Sequence, residues 1–127
     1  MKAMRLKTKN MPTISDKLPS ILVCDRYIVF REGLKNFLLA SGYTQVDVVE
    51  TMRAALTKLH HEKYGYVLIG LSPPFLAGQR LARVAQRRQP EAKIFYLVSA
   101  QDQPYIKDTS FESVIKEYVC SNLSGLL

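Results

Sequence analysis

Short, wholly apolar runs alternate along this chain with stretches whose apolar residues recur every three or four positions. Residues 21–24 (ILVC) form a run apolar at every position, the pattern of a strand buried on both faces. Residues 29–40 follow with Phe30, Leu34, Phe37 and Leu38 at helical spacing, and Ser41-Gly42 stops them. The same alternation predicts strands over 46–49, 66–71, 93–99 and 117–120. Helices are expected over 52–63, 77–89 and, more weakly, 104–116. Pro73-Pro74 forces a loop after the third strand, and Pro90 follows the third helix.

Five strands interleaved with helices call for a parallel sheet covered on both faces. In such sheets ligands and partners meet the loops at the carboxyl ends of the strands. Those loops are Asp25-Arg26, 70–74, 99–101 and Ser121-Asn122.

The 127 residues hold one domain, and 47% hydrophobic content is enough for one core. Two cysteines, Cys24 and Cys120, are too few for a disulfide framework and read as inert thiols in strands. No apolar run approaches a membrane span, and the basic start lacks the apolar stretch of a secretory signal. A cytoplasmic protein is expected.

The net charge of +7 invites a nucleic-acid reading, but its distribution tempers it. Lys2, Arg5, Lys7, Lys9 and Lys17 against Asp16 place +4 in residues 1–20, read as a flexible basic leader ahead of a domain over 21–127. Arg80, Arg83 and Arg87 form a stripe on the third helix, which reads either as a solvated face or as a weak contact to phosphates. His60-His61 before Glu62 is not a zinc-binding HExxH, and a solvated helix end is the expectation. No P-loop, GxGxxG, GxSxG or Cys-His nucleophile pair is present, so no enzyme is expected.

Several segments carry a resemblance. ILVCDRYIVFREGL at 21–34, GLSPPFLAG at 70–78 with Pro74 and Gly78, and LVSA at 97–100 with Ser99 and Ala100 occur in order and at fitting spacing. Together they resemble a response-regulator receiver domain, with REGL typical of the NarL/LuxR branch. The resemblance covers about residues 20–127. It implies a flavodoxin-like fold, a doubly wound five-stranded parallel sheet of order 2-1-3-4-5 with helices on both faces. It also implies two-component or phosphorelay signal transduction, with partners or dimers meeting the fourth-helix/fifth-strand surface.

The departures change the expected chemistry. The family's phosphoacceptor Asp is replaced by Gly70, and of its two acidic Mg²⁺-holding residues Asp25 remains while Arg26 replaces the other. An ungapped count puts Ser121 at the family's lysine and Tyr118 at its aromatic switch. Taking Lys116 as that lysine shortens the fourth helix, so the ungapped reading is preferred. Glycine offers no nucleophile, and one carboxylate beside a guanidinium is a poor magnesium site.

The expectation is therefore a degenerate pseudo-receiver: not phosphorylated, holding no cofactor or metal, and acting by dimerisation or docking. Asp25 reads as a helix cap or pocket remnant, Ser99 and Tyr118 as a coupled pair or as ordinary packing. Two alternatives stay open. One is a nucleic-acid module using the leader and the arginine stripe; the other is a ligand-sensing pseudo-receiver using the space at Gly70. The chain ends at Ser124–Leu127, where a fifth helix would begin, so the last helix is expected to be truncated or missing. That ending suggests a longer regulator, with DNA binding confined to an output domain beyond the chain.

Overall fold

Residues 18–120 are described in a computed structural model of the chain. The wholly apolar runs became central strands because only a strand covered on both faces can bury every side chain. β1 (Ile21–Cys24), β3 (Tyr66–Gly70) and β4 (Lys93–Val98) form the sheet centre, flanked by β2 (Val46–Val49) and β5 (Glu112–Ile115). All pairings are parallel, in the order β2-β1-β3-β4-β5. This is the expected flavodoxin-like fold.

Among the described residues the sheet is covered by α1 (Ile28–Ala40), α2 (Met52–His61) and α3 (Leu76–Arg88). On one face Ala55 and Leu59 of α2 and Leu81, Ala82 and Ala85 of α3 pack on Leu22, Val67, Ile69 and Tyr96. On the other, Leu34 and Leu38 of α1 pack on Ile21, Val23, Leu68 and Phe95. Alternate strand residues thus feed opposite cores, as a pleated strand requires. Thr51 caps α2 by accepting the Ala54 N–H at 3.1 Å. Gln89 joins the far ends of α2 and α3: its amide donates to the carbonyls of Leu59 (3.0 Å) and Glu62 (2.7 Å), and its side-chain oxygen accepts the Tyr64 N–H at 2.8 Å.

The region after β4 departs from the expected pattern. No α-helix spans 104–116; a single 3-10 turn, Gln103–Tyr105, is followed by an irregular segment. The apolar residues here, Ile106 and Phe111, are five apart, so a helix would not put both on one face. As a loop the segment lowers both into the core beneath α3's side of the sheet. Asp108 pins it: its carboxylate accepts the Ser110 N–H (2.8 Å) and the hydroxyl of fully buried Tyr96 (2.9 Å), and pairs with Arg83 of α3 at 3.2 Å.

Because the helix is absent, β5 arrives early. It spans Glu112–Ile115, not 117–120, and a 3-10 turn at Lys116–Tyr118 follows. The remaining boundaries differ from expectation by two residues or fewer. The leader's residues 1–17 and the expected truncated fifth helix lie outside the described residues.

Candidate functional site

Strand register decides which residues share the carboxyl end of the sheet. Cys24 pairs with Ile69, so Asp25 comes beside Gly70; Val98 pairs with Ile115, so Ser99 comes beside Lys116. Four segments distant in sequence meet there.

Asp25 is at the centre. Its side chain is 1% exposed. Oδ1 accepts the Tyr27 N–H at 2.9 Å, a short turn that leads into α1. Arg31, buried on α1, donates to the Asp25 backbone carbonyl at 2.9 Å. Oδ2 lies against Gly70. A Cβ built on Gly70 would overlap that oxygen and stand 2.8 Å from the Asp25 Cγ. The missing side chain at position 70 is therefore the space the Asp25 carboxylate occupies.

Lys116 closes the cluster. Its Nζ lies 2.6 Å from Asp25 Oδ2, and its side chain is 12% exposed. That oxygen accepts no well-aligned hydrogen bond, so the contact is a close ion pair off the preferred hydrogen-bond direction. The ammonium also sits over the rings of Tyr27 (5.0 Å) and Phe30 (4.9 Å), which stabilise a cation through their negative faces. The amine that directly follows β5 thus bridges the end of β1 and the start of α1.

The expected residues fall into place unevenly. Arg26 is exposed and stacks 5.4 Å from the Tyr27 ring. Ser99 is half-buried, and its carbonyl accepts the N–H groups of Asp102 and Gln103 at 3.0 Å each. Pro74 lies in the loop after β3, and Gly78 lies on α3, where a Cβ would meet Leu71. Tyr118 corrects the expectation of a switch position at the fifth strand: it sits beyond β5 and is 64% exposed. Ser121 lies outside the described residues. The lysine following β5 is Lys116, and the ungapped reading that set it aside fails because the fourth helix it assumed does not form. The other missed residues are Arg31, hidden in the REGL motif, and Glu117, whose Oε1 accepts the Ala100 N–H at 2.9 Å. A run of Val114-Ile115 ending in a lysine was the available signal for β5.

The donor set does not suit a magnesium ion. Mg²⁺ wants several oxygen ligands in near-octahedral array. Here Asp25 Oδ2 faces an ammonium, Arg26 stands at the second acidic position, and Gly70 contributes no side-chain oxygen. Among the described residues no group of three or more His, Cys, Asp or Glu could hold a metal.

Beside Gly70 a cleft of about 310 Å³ opens toward α2 and α3, with Cys24, Met52, Ile69 and Leu81 as its apolar floor. Burial, followed by the charge of Asp25, pushes the Cys24 thiol up to about 11, so it stays protonated at neutral pH.

No protein-family model and no curated protein sequence matches the chain. Solved structures do. A response regulator from Thermotoga maritima, solved in complex with Mg²⁺ and BeF, matches with a TM-score of 0.70 at 26% identity, over 87% of this chain and all (100%) of that one. A response regulator from Burkholderia pseudomallei, solved with a phosphorylated aspartic acid, calcium and citrate, matches at 0.69 and 27% identity, over 88% of this chain and 67% of that one. A CheY-like receiver domain from Methanospirillum hungatei matches at 0.67 and 19% identity, over 87% and 94%. The chain is similar in fold to response-regulator receiver domains.

Proposed function

We propose that this chain is a pseudo-receiver of two-component signalling that works as a protein-docking module without being phosphorylated. One observation carries the reading: the Asp25 carboxylate fills the space beside Gly70 and is paired with Lys116. Phosphoryl transfer to protein needs a nucleophile, and glycine has none. It also needs a divalent cation against the charge on the transferring group. Here an ammonium neutralises the one carboxylate instead, and the ends of β1 and β5 are tied without a phosphoryl group. The site is held in one arrangement, and regulation comes from a partner.

That partner would not meet a fourth-helix/fifth-strand surface of the expected kind. No fourth α-helix stands beside β5 among the described residues; the neighbouring surface is the loop pinned by Asp108. Among these residues no helix is long and apolar enough to cross a membrane. A cytoplasmic location, a transcriptional output and kinship with the NarL/LuxR branch all belong to this proposal.

The test is incubation of the full chain with acetyl phosphate and MgCl₂, read by intact mass. The unmodified mass is expected. A stoichiometric phosphoryl adduct, lost on acid or hydroxylamine treatment, would overturn the reading. Light scattering on the same sample reports whether the docking partner is a second copy.

The cleft beside Gly70 favours a second reading, a sensor of a small apolar ligand. A ligand there must raise the melting temperature by mass action, so a thermal-shift screen separates the two readings.

A further inference from the structure

The folded part of the chain carries its charge lopsidedly. Residues 18–120 have a net charge of +3, yet the unit from Met52 to Arg88 alone carries +6 and the remainder −3. Arg53, Lys58 and Lys63 belong to α2 and its exit; Arg80, Arg83, Arg87 and Arg88 belong to α3; Glu62 is the one acid among them. The fold puts both helices side by side on one face of the sheet, joined at their ends by Gln89. All seven cations except the half-buried Lys58 are exposed.

Two of the seven are neutralised internally. Arg83 pairs with Asp108, and Lys58 reaches Asp47 at 4.0 Å. For Arg53, Lys63, Arg80, Arg87 and Arg88 no carboxylate among the described residues lies within ion-pairing distance. Cations in the last turn favour the helix dipole, which accounts for Arg87 and Arg88. It does not account for Arg53, which stands in the first turn of α2, where the dipole opposes it, nor for Arg80, which stands in the second turn of α3, away from the C-terminal end.

We infer that the α2–α3 face binds the phosphate backbone of double-stranded DNA without reading its sequence. The composition of the face selects this partner over an acidic protein. Protein interfaces are built around a buried apolar or aromatic centre. Of the large exposed hydrophobic residues, Leu76 alone lies on this unit, at the very start of α3. Arginine dominates, and its planar fork matches phosphate oxygens. Duplex rather than single-stranded nucleic acid fits because the unit from Met52 to Arg88 exposes no Phe, Tyr or Trp ring for unpaired bases to stack on. The inference is confined to phosphate contacts, which position a protein on the duplex and carry no sequence information.

The experiment is fluorescence anisotropy of the full chain with a labelled duplex DNA of mixed sequence, over a ladder of salt concentrations. Binding at low salt, with affinity falling as salt rises, is expected. An Arg80→Gln/Arg87→Gln/Arg88→Gln variant is expected to flatten the log–log salt slope by about 2–3, near 0.9 per lost phosphate contact. Its melting temperature is expected to stay near that of the parent, because exposed substitutions rarely cost more than about 0.5 kcal/mol. A Lys2→Gln/Arg5→Gln/Lys7→Gln/Lys9→Gln variant separates the leader, and it is expected to retain the part of the slope that the triple variant loses. Three results would each overturn the inference: no binding at low salt, a slope that depends on the leader alone, or displacement of the DNA by phosphatidylglycerol vesicles or poly-glutamate at equal charge concentration.

Discussion

The ammonium of Lys116, directly after the last strand of the sheet, lies 2.6 Å from the carboxylate of Asp25, directly after the first. Both side chains are largely shielded from water, and the cation is further enclosed by Tyr27 and Phe30. Removing one partner of such a pair strands the other charge, which typically costs about 3–5 kcal/mol, whereas removing both costs far less. Lys116→Met is therefore expected to destabilise strongly, and Asp25→Asn in the same chain to recover much of the loss. Urea unfolding of the two single variants and the double variant measures the coupling. Strictly additive effects would show that the pair contributes nothing as a unit.

Restoring an aspartate at position 70 is expected to harm the protein rather than revive phosphoryl chemistry. Any side chain there must displace the Asp25 carboxylate, and overpacking of a close-packed site costs about 1–3 kcal/mol. Gly70→Ala is the minimal probe, since it adds the Cβ alone. Its loss of stability should shrink when Asp25 is also replaced by glycine. A Gly70→Ala variant as stable as the parent would show that the carboxylate moves aside freely.

Asp108 makes stability depend on acid pH. The Ser110 backbone N–H, with smaller help from the Ser110 side chain, the Tyr96 hydroxyl and Arg83, holds its carboxyl below the ordinary 3.8 against an opposing effect of burial. A group with a lowered folded pKa stabilises the fold above its unfolded pKa, and that stability is lost as pH falls toward the folded value. The contribution is thus complete at neutral pH and disappears as pH drops below the ordinary aspartate range. Asp108→Asn should be less stable than the parent at pH 7 and should lose less on acidification. Melting temperature against pH reads the difference; parallel curves for the two proteins would refute it.

Cys24 is expected to resist alkylation at neutral pH, because it is buried and its pKa stands at about 11. Cys120 is exposed. Iodoacetamide should add one group to the native chain and two in urea, counted by intact mass. Rapid double modification of the native protein would mean that the cleft beside Gly70 opens to the thiol.

Most of the architecture is legible in the sequence. ILVC, YVLIG and KIFYLV are apolar at nearly every position, and such runs have few fates except central strands. The reading failed where local pattern is weak. QDQPYIKDTSFESVIKEY holds apolar residues at neither a clean helical nor a clean strand period, and assuming a helix there displaced β5 and with it the lysine of the site.

What the sequence by itself determined was the first four strands, the first three helices and a negative statement of chemistry: glycine at position 70 carries no nucleophile, whatever surrounds it. Only the tertiary structure decided what fills that space. Asp25 and Lys116 belong to opposite ends of the domain's sequence, and no periodicity links them. Parallel pairing brings the carboxyl ends of their strands to the same end of the sheet, and burial then obliges the two charges to pair, because neither can stand alone away from water.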